Sequence, residues 1–338
     1  MKKHLLVSLL IISLISVMML AGCGGSSGGN EITLNLSFGD RTGTYTGEVN
    51  DDGLPDGQGT FRTVNESGES WTYTGTFVNG HFEGEGRTEW ANGYKEIGIY
   101  HDDMIQPEPA ENVSKMYRNP DEYEGHYFEI TGQVFNIIGS SDGQLQFQIY
   151  QDVENYENNT LVVSDDVKVS ENDYVRLTGT VQGVEEYENM LGGTTQAVVF
   201  FADSVETLDY KDAVMPTLKE VSVNKSSEQY GYKVTVEKVE FAEKETRVYV
   251  KVENGGSDTL DIYSYGAIAV QNGKQFEHSD NWDADYPEIQ SDLRVGNSTE
   301  GVLVFNGLEQ NDFTLIIEGY SENWDENLDD FEISIEVE

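Results

Sequence analysis

The sequence contains very little cysteine, proline or positive charge. Its 338 residues include one cysteine and six prolines, and 20 Lys and Arg stand against 62 Asp and Glu, for a formal charge of −42. A single thiol provides neither an intramolecular disulfide nor a multi-thiolate metal site, so the stability of the domains must come from packing. The shortage of positive charge argues against nucleic acid as a partner, since phosphate backbones are bound through Lys and Arg.

Long apolar runs are equally scarce. The longest, LLVSLLIISLISVMML at residues 5–20, follows Lys2 and Lys3 and precedes small residues. A basic start, a short apolar stretch and small residues before the cleavage position are typical of a secretory signal peptide. The alternative is a transmembrane anchor, which needs about 20 apolar residues. We therefore predict a signal peptide at residues 1–22.

The single cysteine follows this run, within LAGCGGSSGGNE at residues 20–31. The first four of these residues resemble the lipobox of bacterial lipoproteins. The resemblance implies cleavage between Gly22 and Cys23 and lipidation of Cys23 with acyl chains such as palmitate, and two chains anchor a protein stably. The Gly and Ser residues that follow predict a flexible tether, and residues 23–40 are assigned to the lipidated cysteine and this tether. We expect a protein held on the extracytoplasmic face of the cell membrane.

A repeated pattern follows the tether. YTGEVNDDGLPDGQGTF at residues 45–61 corresponds to YTGTFVNGHFEGEGRTEW at residues 73–90, and a third, incomplete copy begins at Glu96. The copies resemble MORN repeats, and residues 41–106 are assigned to them. Alternating aromatic and polar residues around Gly-x-Gly predict stacked β-hairpins. We expect their aromatic residues to form a ladder on one face: Tyr45, Phe61, Tyr73, Phe77, Trp90 and Tyr100. The resemblance implies lipid or protein binding, whereas the acidity of these copies favours a structural spacer.

A five-stranded barrel is predicted for residues 110–212, after a linker marked by Pro107 and Pro109. A helical start is stopped by Asn119-Pro120, and five alternating segments follow, two of which share the phrases ITGQV at 130–134 and LTGTV at 177–181. Glycine within a strand permits the strong coil of a closing barrel. The order resembles the OB-fold, in particular the tRNA-anticodon-binding-like variety of secreted bacterial proteins. A nucleic-acid groove needs many cations, so a peptide, glycan or protein partner is expected instead.

The last unit, residues 217–338, shows period-two alternation with turn signals such as Asn254-Gly255 and Asn272-Gly273. This pattern predicts an all-β sandwich. The phrase TRVYVKVEN, a tyrosine-rich strand ending in NGKQF and a later VLVF strand resemble the telokin-like immunoglobulin-type domain of Gram-positive surface lipoproteins. The predicted fold class is therefore mainly β: hairpin repeats, an OB-like barrel and an immunoglobulin-like sandwich.

Sequence motifs for a zinc protease or a phosphate-binding loop are absent. The chain has no HExxH, and no P-loop lysine follows its Gly-x-Gly phrases. No catalytic residue and no cofactor is predicted. Asp280, Asp283 and Asp285 in HSDNWDADYPE are weak candidates for calcium, which takes six to eight oxygen ligands; the alternative is a solvated loop. The acidic residues of the last loop are interpreted in the same way: Asp325, Glu326, Asp329 and Asp330.

The sequence thus predicts a non-enzymatic lipoprotein that displays β-rich binding modules. Its expected partners are the membrane, through the lipid on Cys23, and an envelope protein or glycan. One alternative is a structural acidic spacer at the cell surface. Another is an envelope hydrolase whose site is assembled from residues distant in sequence.

Overall fold

The computed structural model describes residues 29–141, 143–165, 167–188 and 194–337. The predicted signal peptide, its cleavage position and Cys23 lie outside these residues. Strands make up 63% of the structure and helices 6%, in several antiparallel sheets, which confirms the predicted mainly β fold. Of the helices described, none is long and apolar enough to cross a bilayer.

The N-terminal unit is a seven-stranded antiparallel sheet in which each strand pairs with the next along the chain. It begins earlier than predicted, because residues 30–36, part of the predicted tether, pair with the second strand. Leu34 and Leu36 in this first strand are buried, which explains why the segment joins the sheet. The strands are β1 (Asn30–Leu36), β2 (Gly39–Val49), β3 (Pro55–Val64), β4 (Ser70–Val78), β5 (His81–Trp90), β6 (Lys95–His101) and β7 (Met104–Gln106).

Aromatic side chains form the core of this sheet. The expected ladder is present: five of its six members are buried and Trp90 packs against them, partly buried. Tyr73 is central, with its ring stacked on Phe82 at 3.9 Å and set edge-on to Phe77 at 5.1 Å and to Tyr100 at 5.0 Å. Such ring pairs add to the free energy gained from burial alone. One face of the sheet is therefore a rigid aromatic layer.

A short helical segment leads into the barrel. Helix α1 (Val113–Arg118) ends just before Asn119-Pro120, as predicted, with 3₁₀ turns at Ala110–Asn112 and Pro120–Tyr123 on either side. Met116, on α1, is fully buried against the barrel core. The barrel strands are β8 (Tyr127–Ser141), β9 (Gln144–Asp152), β10 (Glu157–Asp165), β11 (Tyr174–Glu188) and β12 (Thr194–Leu208).

The barrel closes in the order β8, β9, β10, β12, β11 and back to β8. β10 and β12 run parallel, with Val162 opposite Phe200, and the other pairs are antiparallel. This is the Greek-key barrel of the OB-fold. The glycines of the two shared phrases permit close strand approach: a Cβ on Gly132 would lie 2.6 Å from the Tyr150 carbonyl oxygen, and one on Gly179 would overlap the Phe201 carbonyl.

Helix α2 (Tyr210–Ala213) precedes a sandwich of two four-stranded sheets. One sheet contains β13 (Lys219–Gln229), β14 (Tyr232–Phe241), β15 (Glu245–Asn254) and β18 (Ser298–Asn306). The other contains β16 (Leu260–Gln271), β17 (Lys274–Glu277), β19 (Phe313–Ser321) and β20 (Phe331–Ile335). Buried Val, Leu, Ile and Phe side chains from both sheets form one core. This packing is typical of an immunoglobulin-like sandwich.

Backbone hydrogen bonds dock the N-terminal sheet onto the barrel. The Ile97 amide in β6 donates to the Gly125 carbonyl at 2.8 Å, and the Gly125 amide donates in turn to the Val181 carbonyl at 2.7 Å. The Glu108 amide donates to the Tyr127 carbonyl at 2.8 Å. Main-chain bonds of this kind fix the angle between the two units and leave a cleft beside the contact.

Candidate functional site

A cleft of about 450 Å³, which we call the aromatic cleft, opens between the N-terminal sheet and the barrel. Its size falls in the range of small-molecule sites, which tend to lie between domains and to have mostly apolar walls with a few polar groups. Six aromatic side chains line it: Phe38, Trp71, Phe82, Trp90, Tyr100 and Tyr127.

Strand pairing places these aromatic residues together. Trp71 in β4 lies directly opposite Trp90 in β5. Phe38, in the turn between β1 and β2, has its ring 6.3 Å from that of Trp71 and remains 41% exposed. Met104 in β7, 54% exposed, also lines the cleft. The rim is therefore apolar and accessible, whereas the base is the packed aromatic core.

Of the four Arg, Asp and Glu side chains that line the cleft, two already have partners. The Arg41 guanidinium lies 5.5 Å from the centre of the Phe38 ring and donates to the Asp40 carbonyl at 2.9 Å. The buried Asp103 carboxylate accepts hydrogen bonds of 2.7 Å from the backbone amides of Ser37 and Phe82. These two groups hold the turns around the cleft in place.

Glu96, in β6, is the third of these side chains. Burial raises its pKa to about 7, and the negative charge of Asp203 adds to the shift, while a hydrogen bond from Tyr94 opposes it. The Tyr94 hydroxyl lies 3.5 Å from Glu96 Oε1, a long hydrogen bond. A carboxyl group with a pKa near neutrality in a cleft is a common feature of functional sites.

Asp203, in β12, is the fourth, and it lies at the open edge of the cleft. Loss of hydration by the surrounding protein raises its pKa, a hydrogen bond with Tyr127 opposes the shift, and the charge of Asp165 adds to it. In the described part of the chain, neither Asp203 nor Glu96 forms an ion pair. Two carboxylates thus face an aromatic cleft without a positively charged partner.

A second cluster combines His81, Asp102 and Asp103, whose ligand atoms lie within 4.8 Å of one another. His81 Nδ1 is 2.8 Å from Asp103 Oδ2 and 3.8 Å from Asp102 Oδ1. The hydrogen bond to Asp103 raises the pKa of His81. Because the Asp103 oxygens also accept the two backbone amides, this cluster fastens the β6–β7 hairpin to the sheet and has little capacity left for a metal ion.

The calcium candidates Asp280, Asp283 and Asp285 line a cavity of about 260 Å³ beside Trp282 in the loop between β17 and β18. Within residues 29–141, 143–165, 167–188 and 194–337, their carboxylates do not form a group of three within 4.8 Å of one another. Asp280 instead lies 3.2 Å from His278 Nε2. The geometry is that of a loop held by local contacts.

One acidic residue of the last loop, Glu326, is similarly occupied. Glu326 accepts hydrogen bonds of 2.8 Å from Ser257 and Ser321 and of 2.9 Å from the buried Tyr232. The hydrogen bond from Ser257 contributes most to lowering the pKa of Glu326. This carboxylate ties the loop to the sandwich core.

Sequence reasoning missed the two carboxylates of the aromatic cleft. Glu96 was visible only as part of the incomplete third repeat, and Asp203 lies 107 positions away in the strand phrase QAVVFFADSVETL. The available signal is that Asp203 interrupts an apolar strand segment and Glu96 directly precedes one. That signal identifies no partner, because the two residues belong to different units.

Comparisons with known proteins give no family. No protein-family model matches the chain, and no curated protein matches it. Two solved chains match; one, described as the crystal structure of the conserved domain protein from Bacillus anthracis, is 11% identical. The match covers 93% of this chain and 96% of that chain, with a TM-score of 0.27. A similarity this low indicates neither fold nor function.

Proposed function

We propose that the protein is a non-enzymatic lipoprotein, anchored through Cys23 on the extracytoplasmic face of the membrane, whose aromatic cleft binds an envelope or extracellular ligand. The observation that carries the proposal is the cleft itself: an accessible space of about 450 Å³ with aromatic walls and two carboxylates that form no ion pair with any described residue. A fold stabilised by packing alone gains nothing from leaving large rings at an open rim. A bound ligand would cover them.

The remainder of the molecule supports a display role. The strongly negative charge keeps the modules soluble and disfavours their adsorption to anionic lipid headgroups. In the proposed arrangement, the lipid on Cys23 holds the N-terminal sheet near the bilayer. The residues between Cys23 and β1 allow the sheet to stay outside the bilayer. The partners proposed for the cleft are an envelope protein or a glycan, and no nucleic acid.

Site-specific crosslinking in the native cell tests the proposal. A photoreactive phenylalanine derivative in place of Met104, on the rim of the cleft, should capture the ligand. The same derivative in place of Ile138, 46% exposed on the barrel and outside the cleft, is the control. Capture at both positions alike, or at neither, would sink the proposal.

A matched pair of substitutions sharpens this test. Phe38→Ser removes a 41% exposed ring from the cleft, and Leu54→Ser removes a 39% exposed side chain from the β2–β3 turn outside it. We expect crosslinking through position 104 to fall in Phe38→Ser and to persist in Leu54→Ser. If cells that carry Phe38→Ser keep every phenotype of the parent, the acidic-spacer alternative is favoured instead.

The anchor is tested separately. Cys23→Ser should abolish metabolic labelling of the full chain by a palmitate analogue and release the protein from the membrane fraction. Retained labelling would refute lipidation at Cys23. Ser8→Ala, within the apolar run, is a control that leaves the cysteine intact.

An envelope hydrolase is the second candidate. The observation that favours it is Glu96, a carboxyl group whose pKa is raised to about 7 in a cleft that contains a second carboxylate. Acid–base catalysis uses such a pair, one protonated and one ionised. A screen of the purified full chain against glycan and peptide substrates separates the candidates: turnover that is lost in Glu96→Gln would replace the binding proposal.

A further inference from the structure

The charges within the aromatic cleft identify a class of ligand. Arg41 and Asp103, the other charged residues of its lining, are held by the protein's own hydrogen bonds. Glu96 and Asp203 are left with tyrosine hydroxyls as neighbours, Tyr94 for Glu96 and Tyr127 for Asp203. Two carboxylates brought together in a partly dehydrated space repel each other, and a cation between them removes the repulsion.

The walls of the cleft suit an organic cation better than a metal ion. Calcium and magnesium require six or more oxygen ligands. Among the described residues, Glu96 and Asp203 belong to no group of three metal-ligating side chains. Aromatic rings instead attract cations through their faces and pack against methylene groups. The Trp90 ring, which is only partly buried, provides such a surface in the lining of the cleft.

The acceptor groups further restrict the type of cation. A carboxylate accepts hydrogen bonds, and a primary ammonium group has three N–H donors to satisfy, whereas a quaternary ammonium group has none. Glu96 and Asp203 reach the cleft from β6 and β12, one from each of the two units that form it. A group bound between them would contact both the sheet and the barrel.

We infer that the aromatic cleft binds a primary alkylammonium group, with Glu96 and Asp203 accepting its hydrogen bonds and the aromatic rings packing along its carbon chain. This inference rests on the proposed function, since it names the chemistry of the ligand for the same cleft. The ammonium group has two possible sources, a lysine side chain of a peptide or a free aliphatic amine. The negative charge of the chain as a whole would attract either one.

Tryptophan fluorescence provides a direct measurement. The chain has four tryptophans: Trp71 and Trp90 line the cleft, while Trp282 and Trp324 are 82% and 100% exposed in the sandwich. In the full chain carrying Trp282→Phe and Trp324→Phe, the signal therefore reports the cleft. The probes are n-pentylammonium and Nα-acetyl-lysine amide, with 1-pentanol and Nα-acetyl-norleucine amide as uncharged counterparts.

We expect saturable binding of the two ammonium probes, with a Kd of about 1 mM or below, and none of the uncharged ones. Glu96→Gln and Asp203→Asn should each weaken binding at least about tenfold. Glu85→Gln, an equal change of charge at an exposed position of β5 outside the cleft, should leave the affinity unchanged. Tighter binding of the lysine amide identifies a peptide source, and tighter binding of pentylammonium a free amine.

Equal binding of charged and uncharged probes, no saturation by either ammonium probe, or equal affinities in Glu96→Gln and Glu85→Gln would each overturn the inference. Far-ultraviolet circular dichroism of every variant checks that the sheet and the barrel remain folded. Crosslinking at position 104 tests the proposed function independently of this inference. A ligand captured there that pentylammonium fails to displace would leave the proposed function standing and this inference refuted.

Discussion

The hydroxyl of Tyr94 accepts a hydrogen bond of 3.0 Å from the hydroxyl of Thr180. Tyr94 precedes β6 in the N-terminal sheet, and Thr180 is a fully buried residue of barrel strand β11. The same phenol lies 3.5 Å from Glu96. One side chain thus connects the sheet, the barrel and a carboxylate of the aromatic cleft, so the shape of the cleft depends on how the two units dock.

The first prediction concerns this contact. Tyr94→Phe retains the ring but removes the hydrogen bond, and we expect it to weaken the docking of the sheet on the barrel by about 0.5–1.5 kcal/mol. The readout is hydrogen exchange of the Ile97 amide, which bonds across the same boundary to Gly125 and should exchange faster. Tyr263→Phe, at a 55% exposed position of the sandwich, is the matched control. Unchanged exchange at Ile97 would contradict the prediction.

The second prediction concerns pH. Burial raises the pKa of Glu96 from 4.5 to about 7, so between these values the folded protein binds more protons than the unfolded chain. The free energy of unfolding therefore falls as the pH rises from about 4.5 to about 7. Glu96→Gln cannot ionise, and we expect it to be more stable than the parent above pH 7 by about 1–3 kcal/mol, with no gain below pH 4.5.

Urea denaturation of the N-terminal sheet, followed by the fluorescence of Trp71 and Trp90, measures this difference across the pH range. Asp203 and Tyr94 face the same carboxyl group, so the parent curve is also sensitive to the charge of Asp203. Glu85→Gln, at an exposed position outside the cleft, is the control. Parallel curves for Glu96→Gln and the parent would show that Glu96 titrates normally.

Much of the fold could be predicted because its strands carry strong local patterns. The five barrel segments, the aromatic ladder and the end of α1 at Asn119-Pro120 follow from alternation, ring content and proline chemistry. β13 was not predicted: its sequence KEVSVNKSSEQ is mostly polar, and its partly buried residues include only two valines, Val221 and Val223, that pack on the core. It forms a strand because it pairs with β14 at the edge of the sheet. This pairing cannot be predicted from the local sequence of β13 alone.

The site could not be predicted for a related reason. Strand alternation tells which residues share a face within one sheet, and so it places Trp71 opposite Trp90. It does not tell how two sheets dock. Glu96 and Asp203 come together through the contacts that dock the two units, such as the backbone bonds of Ile97 and Gly125, whose amides show no sequence signature. Burial of a carboxyl group is likewise a property of the docked units.

The third prediction tests the glycines of the hairpin repeats. A Cβ on Gly75 would lie 2.6 Å from Gly86 Cα and 2.7 Å from the Tyr73 hydroxyl, in the centre of the aromatic core. Gly75→Ala should therefore destabilise the N-terminal sheet by about 1–3 kcal/mol. A Cβ on Gly98 would meet the Ile105 side chain at 3.3 Å, which can move, and the Gln106 carbonyl oxygen at an ordinary contact distance of 3.5 Å, so Gly98→Ala should cost less. Equal urea midpoints for the two variants would contradict this packing argument.

The fourth prediction concerns Arg247, which is fully buried where the barrel leads into the sandwich. Its guanidinium donates to the Met215 carbonyl at 2.9 Å and to Thr217 at 2.8 Å, in the segment between α2 and β13. It also lies 3.0 Å from Glu245 Oε1 and 3.1 Å from Glu240 Oε2. Arg247 therefore lies between two buried carboxylates, of which Glu240 also pairs with Lys238 at 2.5 Å, and it fixes the connecting segment.

Arg247→Met preserves the apolar length but leaves both carboxylates without this cation. Removing one partner of a buried ion pair typically costs about 3–5 kcal/mol, whereas exposed pairs contribute at most about 1 kcal/mol. We expect a loss of that size in thermal denaturation of the sandwich, and a small loss in the control Arg176→Met, whose partner Glu206 is exposed. Because loss of the Arg247 cation favours the protonated form of Glu240, the deficit of Arg247→Met should shrink as the pH is lowered toward 4. A deficit that stays constant with pH would mean that Arg247 acts through packing and not through its charge.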